Sequence, residues 1–213
     1  MKLETLVVGD LQVNCYLYWD EKTGDGIIID PGADEHVIFE GVTRCGFTPR
    51  ALLLTHGHID HIAAASAVKE KYAIPLYIGA GEEGLLADSA ANGAVMLAGP
   101  FDSPEADVLV HDEQALNLGS VFLKVLATPG HTPGGVCYLD ERSGNLFCGD
   151  TLFWGSVGRV DLPGGSGAML MKSIKTKVLT LPDAVTCYPG HGPKTTVGAE
   201  RVNNPFLNGE IFV

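Results

Sequence analysis

The sequence predicts an α/β fold over residues 1–213, one domain built from two packed β-sheets with helices outside. Three observations carry that expectation. Short apolar runs of strand length recur in both halves of the chain, each bounded by glycine, proline or polar turn residues. Segments with apolar residues at helical spacing fall between them. Several of the runs are apolar at every position, which a strand tolerates when both of its faces are covered. With 46% hydrophobic residues the chain can bury such a core, and no linker, low-complexity tract or short repeat divides it.

The elements follow in order. Leu6-Val7-Val8, residues 15–19 and Ile27-Ile28-Ile29 are strands of an antiparallel meander, separated by turn residues such as Thr23-Gly24-Asp25-Gly26. After Asp30-Pro31-Gly32, the spacing of Val37, Ile38 and Val42 predicts a helix over 34–45, and the apolar run 51–54 is a strand covered on both faces. Residues 60–72 read as one helix, with Asp60 at its start and Ile62, Ala65, Val68 and Tyr72 on its inner face; the strand Leu76-Tyr77-Ile78 follows. Residues 80–105 mix Gly, Ala, Asp and Pro, with one helix expected near 85–97 and a role in covering the site or touching substrate. The second half repeats the theme with strands at 121–127, 136–139, 146–148 and 184–188 and a helix over about 168–179.

Fourteen Lys and Arg stand against twenty-six Asp and Glu, a formal charge of -12 that repels a phosphate backbone, and no run of basic residues offsets it. Nucleic acid is therefore not an expected partner. The five cysteines form no CxxC pair, and three lie inside apolar runs, as reduced core thiols of a cytoplasmic protein do; a cysteine-built zinc site is disfavoured. Glu4 and Asp10 interrupt the place a secretory leader would need to be apolar, and no stretch approaches the roughly eighteen apolar residues of a membrane span. A soluble, unprocessed protein without a membrane partner is expected.

Four short words carry the chemistry: Thr55-His56-Gly57-His58-Ile59-Asp60-His61, His131-Thr132-Pro133-Gly134, Gly149-Asp150-Thr151-Leu152 and Pro189-Gly190-His191-Gly192. Together they hold seven metal-competent side chains: His56, His58, Asp60, His61, His131, Asp150 and His191. Each word follows an apolar run directly, so four strand ends are expected to converge on one edge, where glycines let the backbone turn sharply. Residues two apart share a side in an extended turn, which aims His56 and His58 together, while Asp60 and His61 address a second ion from the helix start. Imidazole and carboxylate without thiolate suit zinc, iron, manganese or cobalt. The expected cofactors are two divalent ions, zinc ahead of iron or manganese. Such a pair activates water and polarises a carbonyl, which favours hydrolysis. His36 and His111 stand isolated among acidic neighbours and are left out of the set.

On these residues the chain resembles the metallo-β-lactamase-fold hydrolases, whose HxHxDH motif reads here as His56-Gly57-His58-Ile59-Asp60-His61. The resemblance runs nearly end to end. It implies a four-layer αββα sandwich of two mixed sheets with helices on both outer faces. It also implies that His56, His58 and His131 hold one ion, that Asp60, His61 and His191 hold the other, and that Asp150 bridges them; Asp60 is in addition the candidate catalytic residue. Gly149-Asp150-Thr151-Leu152-Phe153, Gly158-Arg159-Val160-Asp161, Pro189-Gly190-His191-Gly192-Pro193 and Asn203-Asn204-Pro205-Phe206 are most similar to small glyoxalase II-like thioesterases, the hydroxyacylglutathione hydrolases that cleave thioesters of glutathione. The larger enzymes of that group add a C-terminal helical domain that helps clasp glutathione, and this chain ends at Val213 before it. They also place a lysine and a tyrosine against glutathione after the bridging Asp, where this sequence has Arg159 and Asp161. A guanidinium can clamp a substrate carboxylate bidentately, so Arg159 is the expected substrate contact and Lys194 a weaker one.

The resemblance thus implies metal-dependent hydrolysis of a small-molecule thioester, with glutathione as the suggested thiol. A persulfide dioxygenase using one iron on His56, His131 and Asp150 is the alternative, marked by Gly158-Arg159-Val160-Asp161. Lactone or other ester hydrolysis would use the same metal chemistry, and a metal-binding module without turnover is the remaining class. The oligomeric state is not legible in the sequence.

Overall fold

The computed structural model describes residues 1–97 and 103–211. Lys2–Val8 (β1), Val13–Trp19 (β2) and Asp25–Ile29 (β3) form the expected antiparallel meander. The helix Glu35–Cys45 (α1) then carries the chain to Thr48–Leu53 (β4), which pairs with β3 in parallel. Leu76–Gly79 (β5) and Val108–Val110 (β6) extend the parallel part of the sheet.

Between β4 and β5 one helix was expected over 60–72, and two are found: Ile59–Ile62 (α2) and Ala65–Tyr72 (α3). The break has a tertiary cause. The Ala64 amide donates to the Pro31 carbonyl at 2.9 Å instead of to its own helix. Glu83–Ala87 (α4) and Ala94–Leu97 (α5) likewise replace the single helix expected near 85–97. Asp88 accepts the Ala90 and Ala91 amides through its side chain there, a turn that competes with helix. The part of that segment at 98–102 lies outside the described residues.

The second sheet is a meander of Ala115–Leu118 (β7), Val121–Ala127 (β8), Val136–Asp140 (β9) and Asn145–Gly149 (β10). A two-stranded hairpin, Leu152–Phe153 (β11) and Ser156–Val157 (β12), follows β10. Gly167–Ser173 (α6) runs on into a π-helical turn at Ile174–Val178. Thr186–Pro189 (β13) joins β10 in parallel, Thr195–Thr196 (β14) closes the edge, and Val197–Asn203 (α7) packs outside. Among the described residues the sheets run β1-β2-β3-β4-β5-β6 and β14-β13-β10-β9-β8-β7.

The all-apolar runs are explained by a period of two. In β2, Cys15 and Leu17 face the layer of α1 and α2, while Tyr16 and Tyr18 face the other sheet. In and just beyond β4, Leu52 and Leu54 point outward to the helices and Ala51 and Leu53 inward. In β10, Phe147 points between the sheets, and Leu146 and Cys148 point to Leu170 and Ile174 under the outer helix. Every strand side chain in these runs is thus covered, giving helix, sheet, sheet and helix as four layers. Each fully buried Leu or Ile contributes roughly 1.5–3 kcal/mol. Four of the five cysteines, Cys15, Cys137, Cys148 and Cys187, are buried in these layers, and all five are free thiols.

Candidate metal centre

The four words do follow strands, β4, β8, β10 and β13, and their seven side chains meet at one end of the sandwich. The strand ends do not share one edge, contrary to expectation, because β4 belongs to the first sheet and the other three to the second. Backbone bonds stitch the sheets together at this end. Val136 N–H donates to Thr55 O at 2.9 Å, and Asn14 N–H donates to Gly190 O at 2.7 Å. The Asn14 side chain, buried in β2, donates to Pro189 O and Gly192 O at 2.9 Å each, fixing the turn that carries His191. Gly190 must be glycine for reasons of space: a Cβ there would stand 2.2 Å from Asp150 Oδ1 and 2.5 Å from His61 Cε1.

His56, His58 and His131 form one group in which His131 Nε2 lies 2.9 Å from His58 Nδ1 and 3.2 Å from His56 Nε2. Asp60, His61 and His191 form a second, with His191 Nε2 3.1 Å and His61 Nε2 3.7 Å from Asp60 Oδ2. Asp150 stands between them. Its Oδ1 is 3.4 Å from His61 Nε2, and its Oδ2 is 3.6 Å from His131 Nε2 and 3.8 Å from His191 Nε2. His36 and His111 are exposed and belong to neither group.

Hydrogen bonds on the far ring atoms aim the near ones inward. Thr55 Oγ1–H donates to Asp30 Oδ2 at 2.7 Å, so its oxygen accepts from His56 Nδ1 at 3.1 Å and leaves the Nε2 lone pair facing the site. His131 Nδ1 donates to Arg159 O at 2.7 Å, and His191 Nδ1 to Leu11 O at 3.1 Å. His61 Nδ1 is held by Asp30 Oδ2 at 3.0 Å. Three groups needed here escaped the sequence reading: Asn14, Asp30 and Glu82, whose buried carboxylate accepts the Gly57 and Gly134 amides. Asn14 was detectable as the polar residue in an otherwise apolar strand, and Asp30 as an acid closing another. Glu82 gave no sign.

Burial, reinforced by neighbouring imidazoles, holds His56 far below the ordinary histidine range and His58 down to about 4; burial also lowers His131. These three rings are neutral and offer lone pairs. In the second group burial is overcome: Asp150, Asp60 and Asp30 raise His61 well above its usual value, and the Asp60 hydrogen bond with the Asp150 charge raises His191. The His61 and His191 charges in turn keep Asp60 and Asp150 low despite their burial.

The donor set fits metal. His61 Nε2 and Asp150 Oδ1 are buried polar atoms with no hydrogen-bond partner among the described residues. Orphaned atoms of this kind are costly unless something else satisfies them, and the lone pairs of His56 Nε2 and His131 Nε2, 3.2 Å apart, cannot satisfy one another.

Above the centre lies a cleft of about 700 Å³. His58, Asp60, His131, Asp150 and His191 form its floor, and its walls are largely apolar, including Leu11, Ile59, Phe153 and Leu162. Ala90 to Gly93 line it too, so part of the 80–105 region does reach the site. Arg159 is on the rim with its guanidinium bound bidentately to Asp161, 2.8 Å on each arm, both side chains exposed. Lys194 is not among the lining residues; its Nζ sits 5.9 Å from the Tyr188 ring centroid.

The chain is similar to known proteins over nearly its whole length. The hydroxyacylglutathione hydrolase GloC of Haemophilus influenzae is 34% identical over 216 residues, covering 99% of this chain and all of GloC. The crystal structure of the BLEG-1 B3 metallo-beta-lactamase superposes with a TM-score of 0.93 at 40% identity, covering 98% of this chain and all of that one. That of TTHA1623 in a di-iron-bound form gives 0.84 at 36% identity, covering 96% and 100%. The profile of the Metallo-beta-lactamase superfamily matches residues 8–191. The chain belongs to the metallo-beta-lactamase superfamily.

Proposed function

We propose that this protein is a metal-dependent thioester hydrolase of the glyoxalase II kind. His56, His58 and His131 would hold one divalent ion, Asp60, His61 and His191 a second, and Asp150 would contact both. The observation that carries the reading is the completeness of both groups at the base of one cleft. Likeness to GloC along the full length supports a thioester as substrate. Zinc and iron both suit the donors, and the di-iron form of TTHA1623 makes iron a full alternative.

Ions held there would lower the pKa of bound water to about 7 and polarise the acyl carbonyl. The residues supply the rest. Neutral His56, His58 and His131 present lone pairs without proton competition. Asp60 and Asp150 stay ionised and bring negative charge to the floor. The apolar walls exclude water around the acyl group, and Arg159 on the rim would meet a carboxylate of the thiol part once it parts from Asp161. A thiolate leaves readily, so no strong general acid is required.

The second group argues against a mononuclear dioxygenase, because three His and Asp ligands need not assemble beside Asp150 for a one-iron reaction. The test is a panel of S-lactoylglutathione, a lactone and a β-lactam offered to zinc- and iron-loaded protein, with oxygen uptake on glutathione persulfide measured alongside. Release of thiol from S-lactoylglutathione well above the other turnovers is expected. No thiol release with either metal would sink the proposal.

A further inference from the structure

Glu82 is a buried carboxylate that the proposed reaction does not use. It lies just beyond β5 at the start of α4, in the first sheet's half of the molecule, and its side chain is inaccessible to solvent. Its Oε2 accepts the Gly57 amide at 2.8 Å, and its Oε1 accepts the Gly134 amide at 2.6 Å. Gly57 is the residue between His56 and His58, and Gly134 closes the turn that begins at His131. One side chain therefore ties together two turns that come from different sheets and carry the whole three-imidazole group.

The backbone around these turns is packed too closely for a side chain at two of its glycines. A Cβ on Gly134 would stand 2.7 Å from both Glu82 N and Ala80 O, and a Cβ on Gly79 would stand 2.0 Å from Gly134 O. Two inward N–H donors converge on the site, and a carboxylate offers an acceptor to each, whereas an amide offers one acceptor and turns donors toward the other. Metal ligands depend on such outer bonds for their direction.

We propose that Glu82 is a positioning residue: by bracing the His56–His58 turn against the His131 turn, it sets the geometry of the three-imidazole group and hence its affinity for metal. This inference rests on the ligand assignment proposed above. In the neighbouring Asp60, His61 and His191 group the outer bonds come from Asp30 on His61 and Leu11 on His191, with none from Glu82; Asp30 also reaches His56 through Thr55, so the larger effect of Glu82 is expected at the three-imidazole group.

The test is zinc titration of metal-free E82Q against a chelator, alone and combined with H191A, with the cobalt absorption spectrum and the metal-free thermal midpoint recorded on the same samples. With H191A removing the second group, E82Q weakens the remaining ion about 10- to 100-fold and alters the cobalt spectrum. Wild-type affinity and spectrum in E82Q overturn the proposal, including when the thermal midpoint has fallen, because that pattern is a purely structural role. If E82Q does not fold, E82D serves: it keeps the charge but is too short to span both amides, and wild-type zinc affinity in it overturns the proposal equally. The wild-type titration tests the ligand assignment separately. A wild type that binds one equivalent removes the dinuclear reading, while E82Q is still expected to weaken that equivalent.

Discussion

The three-imidazole group and the carboxylate-bearing group lie side by side under one cleft, yet they are built on opposite electrostatic plans. His56, His58 and His131 are buried, kept neutral chiefly by desolvation, and braced by the Arg159 carbonyl, Thr55 and Glu82. In the second group the His191 side chain is 30% exposed and Asp60 19%, and its histidines are pushed toward the charged form by the acids around them. The difference teaches that the two ion positions should not be equivalent. The first is preorganised for a cation before it arrives; the second must exchange protons for it and opens onto the cleft.

Asp150 tests how far the groups are separable, because its oxygens face both. Asp150→Asn is expected to weaken both ions and to lower thioesterase activity by more than about a hundredfold, beyond the range typical of outer-shell changes. Two equivalents bound at wild-type affinity would contradict that position. His191→Ala should separate the groups cleanly, leaving one tightly held equivalent measured by elemental analysis after dialysis. Loss of both would mean that the groups form a single cooperative unit.

Acidification probes the same contrast. Groups whose values are raised in the metal-free protein keep their protons to higher pH than an ordinary histidine, so an ion binding at His61 and His191 competes with those protons, and its affinity falls as the pH drops. His58, at about 4, has no proton to displace until the solution nears that value. The ion at the carboxylate group should therefore leave first on titration from pH 7 downward, with the other retained to lower pH. Simultaneous release, followed by cobalt absorption, would remove the distinction.

The smallest effect concerns the rim. Arg159 holds the Asp161 carboxyl down to about 2, and the exposed pair resembles the grip a substrate carboxylate would receive. Asp161→Asn should lower KM for S-lactoylglutathione by no more than about fivefold, with kcat unchanged and no effect on a thioester of an uncharged thiol. An equal change for both substrates would place the effect outside recognition of the carboxylate.

What the sequence made legible divides along the same line. The seven ligand candidates could be read because each sits in a glycine- or proline-marked word directly after an apolar run, a local pattern that survives without tertiary information. The strands β6 and β7 could not, being three and four residues long with little contrast to their surroundings. The break between α2 and α3 also escaped notice, since it depends on Pro31, a residue from another part of the chain. Glu82 looked like any solvated acid, and Asp30 was marked only as an acid closing an apolar run. Their burial, and with it the bracing of the site, is a property of the assembled sheets alone.

Two unequal ion positions are the centre of this account, and zinc titration of the metal-free protein at neutral pH tests them most directly. Two equivalents bound with distinct affinities, reduced to the tighter one by His191→Ala, is the expected result. One equivalent in the wild type, unchanged by His191→Ala, would contradict it.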